Sequence, residues 1–301
     1  MDRVVECVPN FSEGQRKEVI EEIMGEAKKF DVSILDYSPD ADHNRTDVTF
    51  IGKPEEARKA ALAMSMKAVE LIDMNHHRGE HPRMGAMDVV PFIPLMDTTM
   101  EECVELARQF ASEFSEKSGV PCYLYEEAAT SPERRNLAKI RRGEFEGLKE
   151  EMGKNPERKP DFGPDRIHPT AGATAVGARF FLIAFNINLA TDDISIAKTI
   201  AKAVRHSSGG YRYVKAMGFE IKERGIVQVS MNMVNYRGTP LFRVFETVKR
   251  EAERYGVSIV GSEIVGLVPM EALIDVADFY LQLENFDETQ VLEKRLLERV
   301  K

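Results

Sequence analysis

The order of apolar runs and breakers predicts an α/β (α+β) protein made of two tandem βαββαβ units. Three observations carry that prediction. Short apolar runs alternate with longer runs at helical spacing. Their order (strand, helix, strand, strand, helix, strand) occurs twice along the chain. At 301 residues, 43% of them hydrophobic, the chain is long enough to bury two cores.

In the first unit, residues 4–8 read as a strand, and Ser12 and Glu13 open a helix that runs to about Lys29. Residues 32–35 and 46–51 form the next two strands, joined by the polar, turn-rich DYSPDADHNR. Pro54 stands at a helix start, and EEARKAALAMSMKAVELI carries apolar residues at helical spacing. Residues 89–95 form the fourth strand. In the second unit the strand 180–189 leads to a helix over 194–205. A hairpin of 214–222 and 226–234 follows, turning near Arg224 and Gly225. A helix from Pro240 to about Tyr255 precedes a last strand, 257–268, kinked at Gly261. Each unit then has the ferredoxin-like order, a sheet with its helices in a second layer. The expected division is 1–177 and 178–301.

Between the units lie an amphipathic helix over 100–119, the strand PCYLYEE and a helical stretch over 132–153. KPDFGPDRIHPTAGATAVGAR follows, rich in Gly and Pro. It reads as a long loop connecting the units, and loops of that length in compact proteins are usually functional. Residues 287–301 read as a charged helix.

Composition excludes several classes. Net charge is -9 with the two signs interspersed, and no basic block tracks phosphates, so nucleic acid is not the expected partner. Cys7, Cys103 and Cys122 are odd in number and widely spaced, which suggests neither a disulfide framework nor a zinc site. No basic start followed by an apolar run marks a signal peptide, and no apolar stretch is long enough for a bilayer. A soluble cytoplasmic protein without a membrane partner is expected.

The densest chemistry is His76-His77-Arg78-Gly79-Glu80-His81-Pro82-Arg83-Met84-Gly85, where three of the six histidines fall. Gly79, Pro82 and Gly85 prevent a continuous helix, so this is a shaped loop before the fourth strand. Three accounts compete. One histidine is a general acid or base, suited by its ordinary pKa. Or His77 and His81 bind a metal, although no carboxylate or Cys completes an ordinary zinc set. Or the histidines make loop hydrogen bonds. His81 stands out because Pro82 fixes its backbone and Glu80 and Arg83 flank it.

Asp40, Asp42, His43, Asn44 and Arg45 form a second polar cluster; sequence does not decide whether it meets the His81 loop or is a solvated hairpin. Asn10 lies in a strand-to-helix turn whose helix N-terminus could receive a carboxylate, or Ser12 simply caps that helix. Asn186 and Asn188 alternate on one strand, as Gln228, Ser230 and Asn232 do on another. Each set shares one sheet face, which either meets a ligand or is solvated.

The segments VECVPNFSEG, DHNRTDVTF, LIDMNHHRGEHPRMGAMDVVPFIP, YLYEEAA, IRRGEFEGL, PDFGP, GATAVGAR, FLIAFNINL and GLVP together resemble glutamate formimidoyltransferase, the transferase part of formimidoyltransferase-cyclodeaminase. The resemblance runs from about Val4 to about Tyr280. It implies two ferredoxin-like subdomains with a ligand tunnel between them, a homodimer, and tetrahydrofolate as co-substrate with no metal. It places the catalytic histidine at His81 and the folate segment at Gly163, Pro164, Asp165, Arg166, Ile167, His168, Pro169, Thr170, Ala171 and Gly172. With no match to the cyclodeaminase half, it implies a one-reaction enzyme whose product passes to a separate cyclodeaminase.

The implied reaction moves the formimino group of N-formimino-L-glutamate to N5 of tetrahydrofolate. N5 attacks the amidine carbon and the glutamate amine leaves. One imidazole can accept the first proton and donate the second. On this account Glu80 orients His81 or a proton-carrying water, and Arg45 and Arg83 hold substrate carboxylates. Asn10, Asn44, Asn186 and Asn188 are further substrate contacts. Three alternatives stand beside it: formyl transfer between 5-formyltetrahydrofolate and glutamate, a non-catalytic folate-binding protein, and a metal-dependent hydrolase.

Overall fold

The computed structural model describes residues 3–300, so Met1, Asp2 and Lys301 lie outside the described residues. The chain divides into two compact units between Arg179 and Phe180.

The first unit begins with β1 (Val5–Cys7) and β2 (Asn10–Phe11), one strand line interrupted at Val8-Pro9. Then come α1 (Lys17–Ala27), β3 (Val32–Asp40), β4 (Arg45–Gly52), α2 (Pro54–Leu71) and β5 (Met87–Pro94). Their sheet order is β3-β4-(β1, β2)-β5 with every neighbour antiparallel, the expected βαββαβ arrangement. The sheet is extended on its β5 side. After α3 (Met100–Ser118), β6 (Cys122–Glu126) and β7 (Thr174–Ala178) join in parallel, with β7 between β5 and β6.

Alternation along the strands separates the two faces. Val5, Cys7, Val48, Phe50 and Phe92 pack under α1, α2 and α3, whose apolar stripes supply Ile23, Ala61, Met64, Phe110 and Phe114. On the opposite face α4 (Leu137–Ile140) and α5 (Glu144–Glu151) cover part of the sheet. There Ile140, Leu148 and Met152 rest on Val89, Tyr123, Tyr125 and Ala175.

The second unit repeats the order. β8 (Ile183–Leu189), α6 (Ile194–Val204), β9 (Val214–Ile221), β10 (Ile226–Met233), α7 (Leu241–Glu253) and β11 (Ile259–Val265) build an antiparallel sheet in the order β11-β8-β10-β9. Counting strands within each unit, this equals the β5-(β1, β2)-β4-β3 order of the first. The expected kink is a register shift between Ile259 and Gly261. Beyond it lie α8 (Met270–Leu281) and α9 (Leu292–Val300).

Several expectations need correction. α1 starts at Lys17, not at Ser12, and Ser12 caps nothing: its hydroxyl donates to the Gly85 carbonyl at 2.8 Å. Glu13 instead accepts from the Gln15 and Arg16 amides. The stretch 132–153 is broken, because Gly143 takes φ +80° between α4 and α5. The long loop does not simply bridge the units. Its end is β7, a buried strand of the first unit whose TAVGA sequence, with Gly and two Ala beside Thr and Val, gives only a weak β-propensity signal. α8 has no counterpart among the expected elements.

One buried acid sets a stability test. Glu6 points away from the helical layer, is 4% exposed, and its Oε2 lacks a hydrogen-bond partner. Burial pushes its carboxyl up to about 7, against the opposing pull of Arg179. The folded state therefore holds the proton more tightly than the unfolded chain. Stability is fully present below the ordinary Glu value of 4.5 and is lost as pH rises through about 7. Glu6→Gln should raise urea resistance at pH 8 by on the order of 1–3 kcal/mol and leave it nearly unchanged at pH 4. A variant no more stable than the parent at pH 8 would contradict this.

Candidate active site

The loop between α2 and β5 is held from both sides. Met74 donates its amide to Thr170, and Ala86 and Ala173 bond to Ala171 and Met84 at 2.8 and 2.9 Å. Inside the loop His77 is a strut. Its Nδ1 lies 3.2 Å from Arg83 Nε, which can only donate, so Nδ1 accepts. Its Nε2 then carries the hydrogen and donates to the Asn44 carbonyl at 2.8 Å. Burial lowers the His77 pKa, so the ring is neutral with both nitrogens occupied.

The loop after β3 meets this one, a point the sequence left open. Glu80 donates its amide to Asp42, and Asn44 Nδ2 donates to the Arg78 carbonyl at 2.9 Å. Asn44 takes φ 47°, which turns its side chain back to receive the Gly14 amide as well. At Gly79 the backbones approach so closely that a Cβ would stand 2.2 Å from the His43 carbonyl oxygen. His43 is held by Asp40 Oδ2 at 2.8 Å and presents its ring edge to His81, centroids 6.1 Å apart.

His81 is half-buried. Its Nδ1 donates to the Pro82 carbonyl at 2.7 Å, because a carbonyl only accepts. That fixes the tautomer and leaves the Nε2 lone pair with no hydrogen bond among the described residues. Burial pulls the His81 pKa down to about 4, with Arg45 and Arg141 adding to the effect and Asp88 opposing it. The site thus presents a neutral imidazole with an open basic nitrogen. Glu80, expected to orient His81, is exposed and makes no hydrogen bond to it; the Pro82 carbonyl does that work.

Behind His81 lies a buried charge cluster. Asp88, fully buried on β5, receives the Met84 amide at 2.8 Å on Oδ1. On Oδ2 it receives both Arg45 and Arg141 at 2.7 Å. Burial alone would raise the Asp88 carboxyl, but Arg141 and Arg45 hold it below the usual carboxylate range. Arg45 also donates to Asn10 and Asp47, so all three of its nitrogens are engaged. Arg83, the other expected carboxylate holder, is likewise engaged by Glu144, Glu146 and His77.

The expected folate segment lies against the His81 loop in the same unit. Gly172 takes φ +74°, and a Cβ there would meet the Met84 carbonyl oxygen at 2.2 Å, so only glycine allows the pairing of Gly172 with Gly85. His168 closes a turn with Gly172, and its Nδ1 receives the Ala171 amide at 3.0 Å. Gly163, Asp165, Arg166 and Pro169 are exposed, whereas Pro164, Ile167, His168 and Thr170 are half-buried and Ala171 and Gly172 buried. In the second unit Asn186 donates to Glu263 at 3.1 Å, and Asn188 accepts from Gln228 at 3.0 Å.

Residues 4–179 match the formiminotransferase domain, N-terminal subdomain, and residues 184–299 match the formiminotransferase domain. The chain belongs to this family. It is 53% identical to a glutamate formimidoyltransferase of Streptococcus pyogenes serotype M1, over 99% of this chain and 100% of that one. It is 51% identical to the glutamate formimidoyltransferase of Thermoplasma acidophilum, over 97% of each. The formimidoyltransferase-cyclodeaminase of Gallus gallus is 47% identical over 95% of this chain and 54% of its own length.

For this formiminotransferase, sequence reasoning missed Asp88 and Arg141. Asp88 left a signal: it is a lone charge in the apolar run MDVVPFIP, and a charge buried in a strand requires a partner. Arg141 lies in the IRRGEFEGL segment, but nothing there marks it over Arg142, because its contact with Asp88 spans 53 residues. Among the described residues, no helix is long and apolar enough to cross a membrane, and no group of three or more His, Cys, Asp or Glu is placed to hold a metal ion.

Proposed function

We propose that this formiminotransferase moves the formimino group from N-formimino-L-glutamate to N5 of tetrahydrofolate, giving 5-formiminotetrahydrofolate and L-glutamate. Two relatives matched over nearly their whole length carry the name glutamate formimidoyltransferase. The observation that carries the mechanism is the His81 imidazole, its Nδ1–H held by Pro82 and its Nε2 open.

In this reading N5 attacks the amidine carbon, and His81 Nε2 takes the proton that N5 loses. The tetrahedral carbon then expels the glutamate amine, and the same imidazolium returns the proton to that nitrogen. A pKa near 4 suits the second half: next to Arg45 and Arg141 the imidazolium is a strong acid and gives its proton up readily. His77 and Arg83 brace the loop rather than touch substrate. The pterin lies along Gly163 to Gly172, close to His81 through the Gly85–Gly172 pairing. Asn186 and Asn188 offer amides to a ligand on their own sheet face.

The test is steady-state turnover with both substrates, following 5-formiminotetrahydrofolate by mass. Turnover near the enzyme median, about 10 per second, is expected with the formimino donor. 5-Formyltetrahydrofolate with glutamate should be at least roughly tenfold slower, since the neutral formamide lacks the amidine nitrogen that accepts a proton. Faster formyl transfer, or no formimino product, would overturn the reading.

A further inference from the structure

In the charge cluster behind His81, Arg45 has two carboxylate partners, Asp88 and Asp47, whereas Arg141 has only a share of Asp88. Asp88 supplies one carboxylate to two guanidinium groups, those of Arg45 and Arg141. The two differ. Arg45 uses every nitrogen on Asp88, Asn10 and Asp47. The Arg141 side chain is only 13% exposed and donates to Asp88 through one terminal nitrogen, while its Nε is fully buried without a hydrogen-bond partner. That Nε is closed to a ligand, but the other terminal nitrogen, Nη1, has no hydrogen bond among the described residues and is not fully buried, so a carboxylate can reach the cation there.

Arg141 is also carried by a device that holds it in place. It follows α4 directly, and Asn136 caps that single turn by accepting the Ala138 amide at 3.1 Å. The Arg141 carbonyl receives the Glu144 amide at 2.8 Å as the chain enters α5. Its charge reaches His81, since it is one of the two cations that depress that imidazole.

These observations, resting on the transfer reading above, assign Arg141 a substrate: we infer that Arg141 grips the α-carboxylate of the formimino donor. The α-carboxylate sits on the carbon bonded to the departing nitrogen. His81 Nε2 must reach that nitrogen, so of the donor's two carboxylates the α group is the one brought beside the Arg141–Asp88 pair. Binding it gives Arg141 a carboxylate of its own, and a guanidinium group holds a carboxylate with direction.

The test compares three donors: N-formiminoglutamate, its α-carboxamide and its γ-carboxamide. Each is assayed with the intact chain and with Arg141→Gln and Arg141→Lys. With the unsubstituted chain, kcat/KM should fall roughly 10- to 100-fold for the α-carboxamide, the scale of a lost charge-assisted hydrogen bond. Arg141→Gln should show that same loss with the natural donor and lose nothing further with the α-carboxamide, while the KM for tetrahydrofolate stays unchanged. Arg141→Lys should recover part of the loss. Three results would overturn the inference: an unsubstituted chain that accepts the α-carboxamide as well as the natural donor, a glutamine variant that still discriminates against it, or a loss that follows the γ-carboxamide. The first needs no variant and so does not depend on folding. Absence of product from the natural donor itself would sink the transfer reading, and this inference with it.

Discussion

Turnover of His81→Ala falls by at least roughly a hundredfold at saturating concentrations of both substrates, the scale of a lost acid/base group. The fold is retained, because His81 is half-buried on a loop and its one hydrogen bond is to the adjacent Pro82 carbonyl. Far-UV circular dichroism and urea resistance should match the parent. The pH profile carries the same claim. His81 keeps its lone pair down to about pH 4, so kcat/KM should fall as pH drops through about 4 rather than through the ordinary histidine value of 6.5. Near-parental turnover in the alanine variant would remove His81 from the mechanism.

The second large effect is on stability. Asp88→Ala leaves Arg45 and Arg141 facing each other without their shared carboxylate, both more than four-fifths buried. Breaking a buried pair by removing one partner costs about 3–5 kcal/mol, and here two cations lose it. The Met84 amide loses its acceptor too, so the anchor at the end of the His81 loop is weakened. Urea unfolding at pH 7 should show a loss on that scale, and turnover should fall with it. Asp88→Asn keeps an acceptor for Met84 but no charge, so its loss should be smaller than that of alanine. A change under about 1 kcal/mol in the alanine variant would mean that the cluster does not hold the site together.

Much of the fold was legible because the strands and helices carry distinct periods. The hairpin turn at Gly225, with φ +61°, and the bulge before Gly261 follow from local chemistry that sequence displays. β7 was not legible. Thr174–Ala178 is made of small residues, and it is a strand because β5 and β6 pair with it on both sides, a tertiary cause. Ser12 looked like a helix cap because caps and loop latches use the same hydroxyl; its partner, Gly85, lies 73 residues away.

The site divides along the same line. The importance of the histidine loop came from residues adjacent in sequence, but the roles within it depend on distant partners. His77 is a strut because Asn44 and Arg83 take its two nitrogens. Arg83 is a brace because α5 brings Glu144 and Glu146 to it. The meeting of the Asp40–Arg45 loop with the His81 loop rests on partners more than 30 residues apart, Asn44 with Arg78 and His77 with Asn44, which local sequence does not pair.

The most direct measurement follows the formimino carbon itself. With 13C at that position of N-formiminoglutamate, a single turnover in the presence of tetrahydrofolate should place the label on N5, with one equivalent of free glutamate. The rate of that transfer should collapse in His81→Ala. Label found instead in formamide or N-formylglutamate, with tetrahydrofolate unmodified, would show hydrolysis rather than transfer and contradict the account.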